Sequence, residues 1–309
     1  MLQLLSFIVI SALAQPRVDH HQHLFHPAVT GLAPDTGTVT ASELVAFLDA
    51  AKIRRALVLS VAYQFANPNR PAVTDEYAKV RAENDWTSEQ VARFPDRLRG
   101  FCGFNPLRDY ALRELARCAH DPQLHYGIKL HFGNSDVDLD NPEHVARVRQ
   151  VFQEANRHRM AIVVHMRSSV TRQRPYGARE ARIFLQEVLP AATRVPVQIA
   201  HLAGAGGYDD PGVDAALGVF VDAIAKHDRR MARVYFDISG VTGIGDWKEK
   251  RELITRRVRE LGLRRVLYGS DGAVAGNTPL EHWTRFRQLP FTEAEFRTIE
   301  ANIAPYMKK

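Results

Sequence analysis

Residues 18–25 of the chain read Val18-Asp19-His20-His21-Gln22-His23-Leu24-Phe25. The pattern predicts a short β-strand that ends in Asp-x-His-x-His. Because side chains alternate across a strand, we expect Asp19, His21 and His23 on one side and His20 and Gln22 on the other. Two neutral imidazoles on one strand face are good ligands for a zinc-like ion. A lone His-x-His is also typical of surface histidines, so this stretch alone leaves both interpretations open.

Three later segments end in the same way. Each is a short apolar run, typical of a strand that is covered on both faces, with a His or Asp where the run stops. The segments are 161–167 with His165, 197–204 with His201 and 266–272 with Asp271. In a (β/α)₈ barrel the carboxyl ends of the strands meet at one mouth, where catalytic residues come from several strands. Each histidine alone also fits a core residue bonded to a backbone carbonyl, but the four segments together favour a shared metal site.

Length and composition favour one globular barrel. The chain has 309 residues, of which 45% are hydrophobic and 25% charged, and its formal net charge is +6. Basic residues are spread at helix ends and strand starts without interleaved aromatics, so we expect solvated faces and no nucleic-acid partner. The basic pairs are Arg54-Arg55, Arg229-Arg230, Arg256-Arg257 and Arg264-Arg265.

Strand and helix patterns alternate with the short period of a parallel α/β fold. Eight β/α pairs fit the chain, so we predict a single-domain (β/α)₈ TIM barrel over residues 15–309. Helix starts are predicted at Ser42, at Asn141-Pro142 and at Thr292, the last for a closing helix over residues 292–304.

Two cysteines, Cys102 and Cys118, are too few for a disulfide framework or a cysteine metal site. Cys102 falls inside an apolar strand and Cys118 on a helix. We therefore expect both to be small buried residues.

Residues 1–14 form an apolar run that ends in Ala12-Leu13-Ala14. The run resembles an export signal with its cleavage site, although no Lys or Arg precedes it, and it is too short to span a bilayer as a helix. We expect cleavage before Gln15 and hence a periplasmic or secreted protein. The alternative is an amino-terminal segment that plugs the bottom of the barrel in a cytoplasmic protein.

Over nearly all of residues 15–309 the sequence resembles the amidohydrolase superfamily, in the branch called amidohydrolase-related or amidohydrolase 2. The stretch 84–106 is also similar to that branch. The motifs that carry the resemblance are Asp19-His20-His21-Gln22-His23, Gly127-Ile128-Lys129-Leu130-His131, Val164-His165, Ala200-His201-Leu202-Ala203-Gly204 and Gly269-Ser270-Asp271.

The resemblance implies a barrel of the metallo-dependent hydrolase type with one divalent metal ion, usually zinc and sometimes manganese. By that match the metal ligands are His21, His23, His165 and Asp271. His201 would be a catalytic histidine beside the metal. Some superfamily members hold two ions bridged by a carboxylated lysine on strand four, and Lys129 lies on that strand, so a second ion remains open.

This ligand set predicts hydrolysis of a lactone, ester or amide. A metal can lower the pKa of a bound water from ~15.7 to ~7. We expect Asp271 to take up the proton of that water and His201 to bond the carbonyl oxygen of the substrate. Arg167, Lys129 and His131 are expected to form a cationic rim that binds a substrate carboxylate. Arg167 fits a salt bridge at the mouth equally well, with Asp237 as its partner.

Two other functions remain open. One is non-oxidative decarboxylation of an aromatic or unsaturated carboxylic acid, in which His201 would deliver a proton to carbon. The presence of both His21 and His23 favours hydrolysis over this reaction, because some decarboxylases of the branch carry a glutamate early in the first motif. The other is a non-catalytic binding barrel, which an open metal position argues against. Either enzyme would take a small-molecule substrate, and a homo-oligomer remains open.

Overall fold

The predicted barrel is confirmed by the computed structural model, which describes residues 15–31, 37–168, 174–208, 210–243, 245–272 and 277–308. Eight parallel strands stand side by side in chain order, β1 to β8. Their bounds are Val18–Gln22, Arg55–Leu59, Leu98–Gly103, Gly127–His131, Ala161–His165, Val197–Ile199, Val234–Asp237 and Val266–Leu267.

Helices surround the strands, as expected of strands that are each followed by an αβ crossover. In the described part of the chain the helices α1 to α11 are Pro27–Thr30, Ala41–Ala50, Glu76–Ala92, Ala111–Cys118, Phe132–Ser135, Pro142–Arg157, Ala178–Ile183, Pro211–Ala225, Arg251–Leu261, Pro279–Phe286 and Glu293–Ala301.

Backbone bonds between the first and last strands close the barrel. The amide of His20 donates to the carbonyl of Tyr268 at 2.9 Å, and the amide of Asp271 donates to the carbonyl of His21 at 2.9 Å. Gly269 permits this approach, because a Cβ at that position would lie 2.8 Å from the Cβ of His21. The closure brings the ends of β1 and β8 together at the mouth.

The core has two layers. The larger one fills the space between the strands and the helices, and the smaller one fills the inside of the barrel. Tyr306 and Met307, in a short turn after α11, enter the inner layer beside Phe101 and close the bottom of the barrel. The open mouth is therefore at the opposite end, where the strands finish.

Two of the three predicted helix caps are confirmed. The side chains of Asn141 and Thr292 accept bonds from the first turns of α6 and α11. The cap of α2 is Thr40 and not Ser42, because Glu43 at the third position closes a capping box with Thr40.

The cysteines are buried as predicted, but they are joined in a disulfide that the sequence analysis did not foresee. Cys118, the last residue of α4, lies close to Cys102 in β3: their Cα atoms are 6.2 Å apart, within the range that a disulfide spans. The bond ties a strand of the barrel to the helix that follows it.

Reduction of this disulfide is expected to lower the free energy of unfolding by about 3 kcal/mol. The two cysteines are 16 residues apart, and the chain-entropy estimate for a loop of about 15 residues gives this value. Urea unfolding with and without a reductant measures the change. The matched control is the double variant Cys102→Ala/Cys118→Ala, whose stability should not respond to the reductant. An equal response in both proteins would show that the disulfide does not stabilise the fold.

The predicted export signal, residues 1–14, lies outside the described residues. Among the helices that the structure describes, none combines the length and the apolar character needed to cross a bilayer.

Candidate metal centre

Strand β1 carries the first two predicted ligands to the mouth. His21 is fully buried, His23 is 9% exposed, and their rings lie 5.2 Å apart. Asp19, predicted on the same side, instead bonds Gln22 at 2.8 Å and Ser270 at 2.7 Å. The pairing of β1 with β2 is irregular between Asp19 and Gln22, which breaks the simple alternation. Asp19 therefore supports the strand end from outside the histidine cluster.

Three imidazoles at the mouth are oriented in the same way. In each, Nδ1 lies within hydrogen-bond distance of an oxygen atom, so that Nδ1 carries the proton and the lone pair of Nε2 remains for a ligand or substrate. The pairs are His21 with Asp237 Oδ2 at 3.0 Å, His23 with the Leu59 carbonyl at 2.7 Å and His201 with the Ser239 carbonyl at 2.8 Å.

Asp271, from the loop after β8, meets two of these Nε2 atoms. Its Oδ1 lies 3.4 Å from His23 Nε2 and 3.7 Å from His21 Nε2. One ligand atom from each of the three residues lies within 4.8 Å of the others, as a metal site requires. The carboxylate is 31% exposed, so it faces both the cluster and the open mouth.

His165 lies beside this group of three without joining it at that distance. Its ring is 5.0 Å from the ring of His201 and stacks on His131 at 3.8 Å. The side chain is buried, and Nδ1 has no hydrogen-bond partner in the described part of the chain. A buried imidazole nitrogen without a partner is costly, and a bound cation would relieve that cost.

Four of the buried imidazoles, those of His21, His23, His131 and His165, are uncharged at neutral pH. Burial, with the nearby Lys129 ammonium, lowers the pKa of His21 and of His23 to about 3. Burial also lowers the pKa of His131 and His165 well below the usual value. Neutral imidazole is the form that binds a metal, so this donor set fits a divalent ion without prior loss of protons.

Asp237, at the end of β7, connects the histidines, and the sequence analysis missed this role. Its Oδ2 binds His21 Nδ1, and its Oδ1 accepts from the amide of His201 at 3.0 Å. Burial alone would raise its pKa, but His21, His201 and Ser239 hold the pKa well below the usual range. Gln198 donates to Oδ2 at 2.6 Å. The position of Asp237 at the end of a predicted strand was a signal that it lies at the mouth. Its contact with His21, however, depends on how β7 faces β1.

The sequence analysis left open a salt bridge of Arg167 at the mouth, with Asp237 as the candidate partner; the salt bridge is present, but that partner is wrong. Arg167 Nε instead lies 2.6 Å from Asp210 Oδ2, and its guanidinium covers the ring of Tyr176 at 4.7 Å. Asp237 lies in the barrel interior at the His21 ring, whereas Asp210 caps the start of α8 at the rim.

The backbone is strained where β6 reaches the mouth. His201, Leu202 and Ala203 have φ values of 54°, 50° and 68°, in the left-handed region that non-glycine residues rarely occupy. Asp271 has a φ of 53°. Such conformations cost roughly 1–3 kcal/mol each and concentrate at functional sites. Here the bond from the His201 amide to Asp237 holds the strained turn in place.

The predicted cationic rim is only partly assembled. A cavity of about 390 Å³ opens beside the cluster, and Arg167, His131 and His165 are among its lining residues. His131 is neutral, because its Nδ1 accepts from the Asn134 amide and burial disfavours its charge. Lys129 is 1% exposed and lies below the cavity, with Nζ 3.2 Å from His21 Nε2. Burial lowers the pKa of Lys129 to about 8.

Solved structures with the same fold include both hydrolases and decarboxylases. A 5-carboxyvanillate decarboxylase from Novosphingobium aromaticivorans with bound manganese is 13% identical, with a TM-score of 0.63 over 96% of this chain and 98% of that one. A probable 2-pyrone-4,6-dicarboxylic acid hydrolase from Acinetobacter baumannii with citric acid bound is 15% identical. Its TM-score is 0.57 over 93% of this chain and 96% of that one. An amidohydrolase from Burkholderia multivorans with bound zinc is 14% identical. Its TM-score is 0.59 over 93% of this chain and 96% of that one.

At these identities the likeness shows the fold and not the substrate. No curated protein sequence matches the chain. The sequence profile of the Amidohydrolase family, in contrast, matches residues 18–300, which include the five motifs and all eight strands. The chain therefore belongs to the amidohydrolase family, whose structural neighbours are metal-dependent enzymes.

Proposed function

We propose that the protein is a metal-dependent hydrolase that cleaves a lactone, ester or amide bond in a small molecule carrying a carboxylate. The observation that carries the proposal is the common orientation of His21, His23 and His201, whose Nδ1 atoms are all bonded to oxygens. Their Nε2 atoms therefore face the mouth, where Asp271 adds a carboxylate. A set of this kind holds a metal and leaves a position open.

We propose His21, His23, His165 and Asp271 as the metal ligands and zinc as the ion, with manganese as the alternative. The neutral imidazoles and the unpartnered Nδ1 of His165 support this assignment. When bound, such an ion polarises a carbonyl and lowers the pKa of a coordinated water. One ion is preferred, because a second would need Lys129 as a carboxylated bridging ligand, whereas its side chain lies with Nζ 3.2 Å from His21 Nε2 as a hydrogen-bond partner.

The remaining steps fall to side chains of the mouth. Asp271, partly exposed and next to two Nε2 atoms, is placed to accept the proton of the attacking water. The bond from Nδ1 fixes the ring of His201, and Nε2, when it also carries a proton, would donate a hydrogen bond to the carbonyl oxygen of the substrate. Arg167 lines the cavity and would bind the substrate carboxylate, with Asp210 keeping the guanidinium in position.

Decarboxylation of an aromatic or unsaturated acid is the second candidate. It is supported by the 5-carboxyvanillate decarboxylase that shares the fold. In this reaction His201 would hold the proton that replaces the departing carboxylate, and Arg167 would bind a second polar group of the substrate. Both reactions use the same residues, so the product decides between them.

Product analysis in ¹⁸O-labelled water separates the two reactions. We expect 2-pyrone-4,6-dicarboxylate or a related carboxylated lactone to be opened with one labelled oxygen in the product and no release of carbon dioxide. If 5-carboxyvanillate or a dihydroxybenzoate instead releases carbon dioxide and takes up a solvent proton at carbon, the protein is a decarboxylase and the proposal of hydrolysis is wrong. The control is the variant His201→Ala, which should lose either activity while it keeps its metal, as elemental analysis can show.

We further propose that the protein works in the periplasm or outside the cell. The disulfide between Cys102 and Cys118 supports this location, because such bonds persist in oxidising compartments and are rare in the cytosol. Analysis of the mature amino terminus tests the proposal, and removal of residues 1–14 is the expected result.

A further inference from the structure

Arginines collect at the end of the barrel opposite the candidate metal centre. Every strand except β4 is preceded, within three residues, by an arginine. Because the strands are parallel, all of these positions lie at the same end. The arginines are Arg17, Arg54, Arg97, Arg159, Arg194, Arg233 and Arg265, and we call this end of the barrel the basic face.

Some of these arginines have structural roles, and others do not. Arg97 pairs with Asp49, and Arg265 donates to the backbone carbonyls of Met231 and Val234. In contrast, Arg17, Arg54 and the neighbouring Arg264 are exposed, and none of the carboxylates in the described ranges lies within 4 Å of them. Positive charge on the basic face is therefore left for a partner.

A cavity marks one sector of this face. It measures about 510 Å³, and Arg17, Lys52, Arg54 and Arg55 are among its lining residues. Burial and the neighbouring Arg54 charge lower the pKa of Arg55, which shows that like charges are held together here. Asp96 lines the same cavity and sets one negative charge against these four cations, so a net positive charge remains for an anion to offset.

The amino terminus joins the barrel at the same place. Gln15 and Pro16 line the cavity, and the fourteen residues before them form the apolar stretch of the chain. Because we propose that residues 1–14 are removed, the attraction of the mature chain to an anionic membrane rests on the cationic side chains. The arginines also lie on seven separate loops. This arrangement fits a flat surface of negative charge better than a nucleic acid, which would need a continuous basic groove.

From these observations we infer that the basic face docks on the surface of an anionic lipid bilayer. In this orientation the mouth, at the far end of the barrel, faces away from the membrane and stays open to soluble substrate. The exposed arginines contact phospholipid head groups, and the cavity admits the phosphate of one of them. Removal of residues 1–14 leaves the charges of the basic face in place, so the electrostatic part of the interaction persists in the shortened chain.

Sedimentation of the full chain with lipid vesicles tests the inference. We expect binding to vesicles of phosphatidylglycerol and phosphatidylcholine in equal parts at low salt. The charges are screened at about 1 M salt, where the Debye length is about 3 Å, and most of the binding should then be lost. The variant Arg17→Glu/Arg54→Glu/Arg264→Glu should bind these vesicles about 100-fold more weakly, since each cation at such a surface contributes roughly fivefold.

The matched control is Arg81→Glu/Arg149→Glu/Arg182→Glu, which changes the net charge equally on exposed positions of the outer helices α3, α6 and α7. It should keep its vesicle binding. The neutral variant Arg17→Gln/Arg54→Gln/Arg264→Gln, with thermal unfolding of all proteins, guards against loss of fold. Equal losses in the two reversed variants, or equal binding to pure phosphatidylcholine vesicles, would overturn the inference. Displacement by inorganic phosphate at constant ionic strength, or tighter binding to duplex DNA than to the anionic vesicles, would also overturn it.

Discussion

Replacement of Asp271 by Asn is expected to reduce turnover at least about 10³-fold. The carboxylate lies 3.4 Å from His23 Nε2 and 3.7 Å from His21 Nε2, so the change removes the proposed charged metal ligand and the proposed proton acceptor together. A positioned base alone is worth ~10²–10⁴-fold in rate. Steady-state kinetics on the substrate found by product analysis measures the loss, and elemental analysis of the same preparation measures the metal.

Two comparisons make this result specific. Asp246→Asn changes an exposed carboxylate in the loop after β7 and should leave both turnover and metal content unchanged. His23→Ala removes a proposed ligand but keeps Asp271, the proposed proton acceptor, so metal content should fall together with activity. His120→Ala changes an exposed histidine and should affect neither. An Asp271→Asn protein with undiminished turnover would exclude the proposed centre, because no other described carboxylate touches both Nε2 atoms.

The barrel could be predicted from the sequence because its signals are local. An apolar run of strand length that stops at a His or Asp identifies a strand end, and parallel strands bring their ends together. His21, His23 and Asp271 meet for this reason. His165 was predicted at the same mouth and is there, but its distance from the group depends on the tilt and stagger of β5, which no local pattern encodes.

The features that the sequence did not reveal depend on contacts between distant segments. Asp237 was the candidate partner for a salt bridge of Arg167, yet Asp210 approaches it from a glycine-rich loop whose conformation follows no simple period. The disulfide forms because the end of α4 comes close to β3, and two cysteines sixteen residues apart do not encode that approach. In both cases the residue type was evident and the partner was not.

Asp237 is the clearest case of this kind, and its replacement by Asn is expected to weaken metal binding about 100-fold. The carboxylate accepts from His21 Nδ1 and Gln198 Nε2 through Oδ2 and from the His201 amide through Oδ1. Asn can keep the last bond, but its amide group then faces two donors. The proton of His21 is expected to move to Nε2, the nitrogen that must be free to bind the ion.

This effect has signatures that a merely structural role would not produce. A chelator competition assay gives the change in metal affinity, and ¹⁵N NMR of the metal-free protein should show the His21 tautomer exchanged. Gln198→Met removes the other donor at Oδ2 and leaves the acceptor of His21 intact, so it should retain its metal. Asp214→Asn, which changes the partner of Arg257 on the outer helices, should do the same. If Asp237→Asn instead bound metal normally and lost only turnover, Asp237 would act on the substrate through His201, whose amide it also holds.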